Sequence, residues 1–250
     1  MSKKEFTILG KNIFEFRYDP IISFYDWKGS LAQHLIDELK FDGFRISNNR
    51  IDLTNPDKLD FSVFVGIQNA GFVIENNPDA EVFKNKISSF LQALKKFDKF
   101  APKKIARIGV RWNFLKHKKN INFAQIKKAF EENIVQLNKT PYNKFEESLV
   151  DIGLPLNFRG EKLNYNIMHG PMEQNQAVGM FFTNREVYFD RYGKPSDIVP
   201  KHGFFFDVDV FKENLGEMTL DDLETRAKEF AEVGNKKFNT ISDELFNKVQ

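Results

Sequence analysis

The sequence has no cysteine among its 250 residues. It therefore has no disulfide, no thiolate metal site and no cysteine nucleophile, a composition that fits a reducing compartment. It also lacks a run of about 18 apolar residues and the pattern of a secretory signal peptide. We therefore expect a cytoplasmic protein that does not enter a membrane.

Motifs of several common enzyme classes are missing as well. We find no Gly-x-Ser-x-Gly turn for a serine nucleophile, no Gly-x-x-x-x-Gly-Lys phosphate loop and no Gly-x-Gly-x-x-Gly sequence. The four histidines show neither His-x-x-x-His nor His-Glu-x-x-His spacing. These absences argue against hydrolases and P-loop enzymes. A protein that is not an enzyme is favoured, and the question stays open at this point.

Phenylalanine, in contrast, is abundant, with 28 residues in a chain that is 41% hydrophobic. This composition is typical of a globular protein with an aromatic core. Runs with a period of two alternate with runs of helical period along the chain. They predict an α+β fold in which long amphipathic helices pack on one face of antiparallel sheet. We expect two similar α+β halves, residues 1–120 and 121–250, with one continuous domain as the alternative.

Several element ends can be predicted from local chemistry. Asn77 before Pro78 predicts the start of a helix that ends at Lys95 and Lys96. Asn122 and Thr219 are typical N-cap residues of two further helices. Residues 177–192 alternate well enough to predict a β-hairpin.

The clearest strand is residues 106–114. Its even positions are apolar, whereas its odd positions are Arg107, Gly109, Arg111 and Asn113. This period of two predicts a half-buried strand with one polar face. Two guanidinium groups beside a glycine suggest that a polar or anionic backbone could approach closely.

Charge is distributed unevenly although the formal net charge is only +2. Residues 95–119 contain ten lysines and arginines, including Lys103 and Lys104, against Asp98 alone, whereas acids outnumber bases eleven to six in residues 207–250. The basic segment could bind nucleic acid, or the two segments could face each other within the fold or in a homodimer.

Asp207 and Asp209 suggest an alternative chemistry. Two residues apart in a strand, their carboxylates would project to the same face, a spacing that can hold Mg²⁺ for chemistry on nucleotides or phosphoesters. The other interpretation is that they face solvent or pair with Arg107 and Arg111 on a neighbouring strand.

Two blocks of sequence resemble those of a known family. They are Gly109-Val110-Arg111-Trp112-Asn113, and Phe206-Asp207-Val208-Asp209-Val210 followed by a helix and by residues 238–244. The blocks are similar to the GLRYxN and LDID blocks of a sporadically distributed, uncharacterised prokaryotic family of similar length. The resemblance implies a cytoplasmic accessory role or a role linked to a mobile element, and because the family is uncharacterised it assigns no catalytic residue to this chain.

These observations lead to one expected function and one alternative. We expect an accessory or adaptor protein that binds a protein, peptide or nucleic-acid partner over its polar sheet face, without a cofactor. Arg107, Arg111 and Asn113, with Lys103 and Lys104 beside them, are the candidate binding residues. The alternative is a Mg²⁺-dependent enzyme that uses Asp207 and Asp209.

Overall fold

A computed structural model of the chain describes residues 6–55, 58–136, 139–140, 144 and 152–247. In these residues nine strands form one antiparallel sheet, in the order β2-β3-β4-β5-β1-β6-β9-β8-β7. The strands are β1 (Phe6–Tyr18), β2 (Gly43–Ile46), β3 (Arg50–Asn55), β4 (Lys58–Gly66), β5 (Asn69–Glu75), β6 (Lys104–Lys118), β7 (Leu154–Arg159), β8 (Asn164–Glu173) and β9 (His202–Glu217). The predicted α+β class is confirmed.

Seven α-helices accompany the sheet in the same residues. They are α1 (Phe24–Leu39), α2 (Ala80–Lys95), α3 (Phe123–Phe130), α4 (Gln174–Phe181), α5 (Arg185–Tyr192), α6 (Pro195–Ile198) and α7 (Leu220–Phe246), and α3 continues as a π-helical turn over Glu131–Val135. None of the helices in the described part of the chain is both long and apolar enough to span a bilayer.

The predicted strand 106–114 lies within β6, and its apolar side faces the helices. Val110, Trp112 and Phe114 are almost fully buried there, in a core that α1, α2, α3 and α7 cover. A β-bulge changes the start of the pattern, because the register with β9 shifts between Ile105 and Arg107. Ile105 is therefore buried and Ala106 is exposed, the reverse of what strict alternation predicts.

Helix starts follow local hydrogen bonds. Asn122 and Thr219 both form capping boxes, as predicted. Helix α2 begins two residues later than Asn77 indicates, because the Asp79 carboxylate accepts hydrogen bonds from the Glu81 and Val82 amides. A carboxylate at the N-cap also interacts favourably with the helix dipole.

The hairpin predicted for residues 177–192 is wrong, since these residues form α4 and α5. Ala177 and Phe181 are buried four residues apart on α4, a helical spacing. The segment α4 to α6 packs against Leu115 and Phe205 on the sheet face opposite the long helices, in a second and smaller core. The prediction that helices pack on one face of the sheet is therefore correct for the long helices, but α4 to α6 pack on the other face.

The order of the elements is repeated. The segment from β1 to α2 consists of a long strand, a helix, an antiparallel meander and a second helix. The segment from β6 to α7 has the same elements in the same order, if α4 to α6 are left out. The repeats meet where β1 pairs with β6, and α2 packs against α7 above this pair. The chain passes from one repeat to the next at residues 96–103, and the division into halves at residue 120 stays a prediction.

Helix α7 approaches the sheet closely at Gly234, and this contact makes a testable prediction. A methyl group at Gly234 would lie 2.5 Å from the ring of Trp112, whereas one at Gly29 in α1 would have no neighbour within 4 Å. We expect Gly234→Ala to lower the free energy of unfolding by about 1–3 kcal/mol through overpacking. Gly29→Ala should raise it by about 1 kcal/mol through helix propensity. Urea unfolding measures both, and equal effects would contradict the close approach.

Buried His169 makes stability depend on pH. It lies within about 6 Å of the rings of Phe130, Phe204 and Phe206, and burial lowers its pKa to about 4. The unfolded chain, with an ordinary histidine pKa near 6.5, binds this proton more strongly. The contribution of neutral His169 to stability is therefore complete above about pH 6.5 and is lost as the pH falls towards 4.

We expect His169→Phe to flatten the dependence of the free energy of unfolding on pH between pH 6.5 and 5. In the unaltered protein His169 contributes a slope of up to about 1.4 kcal/mol per pH unit in that interval. Urea unfolding at a series of pH values measures the slope. Equal slopes in the two proteins would show that His169 does not titrate as described.

Candidate binding face

The sheet face opposite the long helices carries the predicted site residues Arg107, Arg111, Asp207 and Asp209, and we call it the open face. Strand β6 lies beside β9 at the centre of the sheet, and their register places Arg111 directly opposite Asp209. Because side chains alternate between faces, the two arginines and the two aspartates all project to this one side.

The ion pairs run diagonally rather than straight across. Arg111 donates from Nε to Asp207 Oδ1 at 2.7 Å and from Nη2 to Asp207 Oδ2, so the carboxylate is held by two bonds. Arg107 donates from Nη2 to both oxygens of Asp209, at 3.0 and 3.2 Å. This arrangement is the charge-paired alternative that the sequence left open.

Gly109 is the reason that Arg107 can reach Asp209. A Cβ atom at Gly109 would lie 2.5 Å from Nη1 of Arg107, so the guanidinium lies over the glycine. The guanidinium of Arg107 thus occupies the space above Gly109, where we expected the backbone of a partner to approach.

The two arginines differ in accessibility. The Arg111 side chain is 47% exposed although its partner Asp207 is only 9% exposed, whereas Arg107 and Asp209 are 16% and 18% exposed. The hydrogen bond to Asp207 raises the pKa of Arg111. Burial raises the pKa of Asp209, and the charges of Arg107 and Arg111 act in the opposite direction. The Arg111 guanidinium is therefore held in place by the buried Asp207 carboxylate, and its other side is exposed to solvent.

A network continues from Asp209 towards the edge of the sheet. Asn166 donates to Asp209 at 3.4 Å, and Arg159 donates to Asn166 at 3.1 Å. The ring of Phe211 lies between two guanidinium groups, with its centre 4.8 Å from that of Arg107 and 5.3 Å from that of Arg159. Such contacts hold arginines in fixed orientations.

On the other side of β6, the open face carries further charge pairs. Arg17 bonds to Glu15 at 2.6 Å, and Lys11 bonds to Glu75 at 3.1 Å. Glu75 also accepts hydrogen bonds from the amide and hydroxyl of Thr183, which ties the α4 to α6 segment to the sheet. The sequence gives no sign of these contacts, because they depend on the register between distant strands.

The remaining candidate residues lie apart. Asn113 is buried between Lys11 and Asp207 in the register, and its Oδ1 atom accepts no hydrogen bond from the described residues. Lys104 begins β6 opposite Glu217, and Lys103 is exposed just before the strand. The structure thus brings Arg107, Arg111 and Asn113 onto one face and leaves the two lysines at its end.

The basic segment 95–119 does not form a single patch. Ion pairs join it to the acidic segment 207–250, and their partners lie on both faces of the sheet. Examples are Lys95 with Asp221, Arg107 with Asp209, Arg111 with Asp207 and Lys116 with Asp243. The two oppositely charged segments are therefore partly paired with each other within the fold.

Both carboxylates proposed for Mg²⁺ are bonded to guanidinium groups. A cation at Asp207 or Asp209 would have to displace Arg111 or Arg107. In the part of the chain that the structure describes, no group of three or more histidine, cysteine, aspartate or glutamate side chains could hold a metal ion. The Mg²⁺ site stays a prediction from the sequence.

No protein-family model and no curated protein matches the chain. Among solved structures, the chain is similar to a rolling circle replication initiator protein from Geobacillus stearothermophilus. The identity is 9% over 91% of this chain and 80% of that one, with a TM-score of 0.28. A likeness this weak supports no argument about fold or function.

The pair formed by Arg111 and Asp207 makes a testable prediction. Arg111→Ala leaves a buried carboxylate without its charged partner, and we expect it to lower the free energy of unfolding by about 2 kcal/mol. Asp207→Ala should cost less, because the exposed Arg111 can be hydrated. The free energy of unfolding that the double variant loses should be about 1 kcal/mol smaller than the sum of the losses in the two single variants.

Arg17→Ala is the control, since its pair with Glu15 is largely exposed and should contribute less than about 0.5 kcal/mol. Urea unfolding of the four variants gives the coupling energy. Strict additivity at Arg111 and Asp207 would contradict the pairing described above.

Proposed function

We propose that this protein is a non-enzymatic accessory or adaptor protein that binds a protein or peptide partner over its open face. The observation that carries the proposal is the geometry of Arg111. Its guanidinium is fixed by two bonds to the buried carboxylate of Asp207, while nearly half of the side chain is exposed. A cation that is already oriented loses little entropy when it meets an acceptor.

The composition of the face supports a protein or peptide over a nucleic acid. Arginines are enriched in protein interfaces, and Arg111 is exposed on this face. Binding to a phosphate backbone depends instead on an excess of positive charge. On the open face Lys11, Arg17, Arg107 and Arg111 each have a carboxylate partner, which offsets the positive charge of these four residues.

Other parts of the expectation stay predictions. The link to a mobile element rests on the family resemblance alone, and the cytoplasmic location and a homodimer rest on composition and charge. No feature of the described residues favours the Mg²⁺-dependent enzyme over the adaptor.

The test compares Arg111→Lys with the unaltered protein. Lysine keeps the charge beside Asp207 but cannot form the paired bonds of a guanidinium. We expect the immobilised protein to enrich specific sequences from a displayed library of random peptides, and Arg111→Lys to weaken binding of the enriched peptides at least about tenfold. Arg226→Lys on α7 is the matched control and should bind as the unaltered protein does.

Three outcomes would count against the proposal. Equal affinity of the two lysine variants would remove Arg111 from the contact. Steep salt-dependent retention on heparin that is lost in Arg107→Gln/Arg111→Gln would favour nucleic acid. A rise in melting temperature with Mg²⁺ that Asp207→Asn abolishes would favour the enzyme.

A further inference from the structure

The two edges of the sheet differ in how they are protected. Strand β7 forms one edge and contains Pro155, which lacks a backbone N–H. Strand β2 forms the other edge, and its residues Gly43–Ile46 include neither proline nor lysine. Proline and lysine are common devices that keep an edge strand from pairing with another chain. The β2 edge has neither.

Exposed apolar side chains gather at the β2 edge. Phe44 is 63% exposed and Ile46 is 39% exposed, both on the side of the sheet that faces the helices. Tyr25 of α1, 49% exposed, lies at the same corner, because Lys28 contacts its ring and also bonds to the carbonyls of Ser47 and Asn48. A strand added to β2 would cover Phe44 and Ile46.

Arg45 supplies a charge on the other side of the same edge. It is exposed, and among the described residues it has no hydrogen-bond or ion-pair partner. Asp52 lies directly opposite it on β3, but Arg50 bonds to that carboxylate at 2.6 Å. An acidic residue on an added strand would be the natural counterpart of Arg45.

We propose that the β2 edge binds an extended peptide segment of a partner protein as an added antiparallel strand. The segment has an acidic residue flanked by two apolar residues. Its backbone pairs with β2, its acidic side chain lies opposite Arg45, and its apolar side chains lie against Phe44 and Ile46. This site is separate from Arg111 on the open face, so either proposal can fail without the other.

The test uses a fluorescein-labelled peptide with the core Thr-Val-Glu-Val-Thr and a second peptide with lysine in place of glutamate. In anisotropy titrations we expect the unaltered protein to bind the glutamate peptide about fivefold more tightly than the lysine peptide. Arg45→Glu should reverse this preference. A reversal of preference cannot arise from a loss of folding.

Two further variants locate the site. Phe44→Lys should weaken binding of the glutamate peptide at least about tenfold, whereas Phe158→Lys, on the exposed β7 edge, should leave it unchanged. Amide NMR signals of residues 43–46 should shift on addition of the peptide.

The proposal is overturned if the preference does not reverse in Arg45→Glu, if the shifted signals lie elsewhere, or if neither peptide binds. Self-association that Phe44→Lys abolishes, with no binding of either peptide, would instead identify β2 as an interface between two copies of the chain.

Discussion

The antiparallel pairing of β1 with β6 is the contact on which the rest of the structure depends. It runs in register from Phe6 opposite Lys118 to Arg17 opposite Arg107, and it joins two meanders that otherwise lie on opposite halves of the sheet. On one side of this pair Phe14 and Trp112 anchor the aromatic core. On the other side the same alternation brings the charged residues of the open face together.

Many of the charged side chains in this protein form ion pairs within the fold. The basic and acidic segments are far apart in sequence, and a count of charges alone suggests two poles that could attract different partners. In the folded chain the sheet register and α7 bring them together, and ion pairs such as Lys95 with Asp221 and Arg111 with Asp207 join the two segments. Under the proposed binding role, the fixed orientation of the Arg111 guanidinium matters more than its positive charge.

The features that sequence could predict are the ones whose cause is local. Asn122 and Thr219 bond to their own helices, and Trp112 alternates with its strand neighbours, so a few adjacent residues suffice. The α+β class follows from the same periodicities. The helix of residues 174–181 could not be predicted from local sequence, because the spacing of its apolar residues also fits a strand. Packing against Leu115 and Phe205 favours the helix.

The arrangement of the site residues depends on contacts between strands that are far apart in sequence, so a short stretch of sequence cannot predict it. That Arg111 bonds to Asp207 and not to Asp209 follows from a register between strands almost one hundred residues apart and from the space above Gly109. The bulge at Ile105 likewise depends on pairing with β9. Sequence could name the arginines and aspartates and the two ways in which they might be arranged, but the choice between the two needed the fold.

The α4 to α6 segment makes the two ends of the open face different, because it covers one end only. By packing on Leu115 and Phe205, and through the bonds from Thr183 to Glu75, it forms a wall across one end of the central strands. A long rigid rod laid along β1 and β6 would run into this wall. Under the proposed binding role, a loop or a chain end that enters from the opposite side would stop against this wall, which would set where such a partner ends.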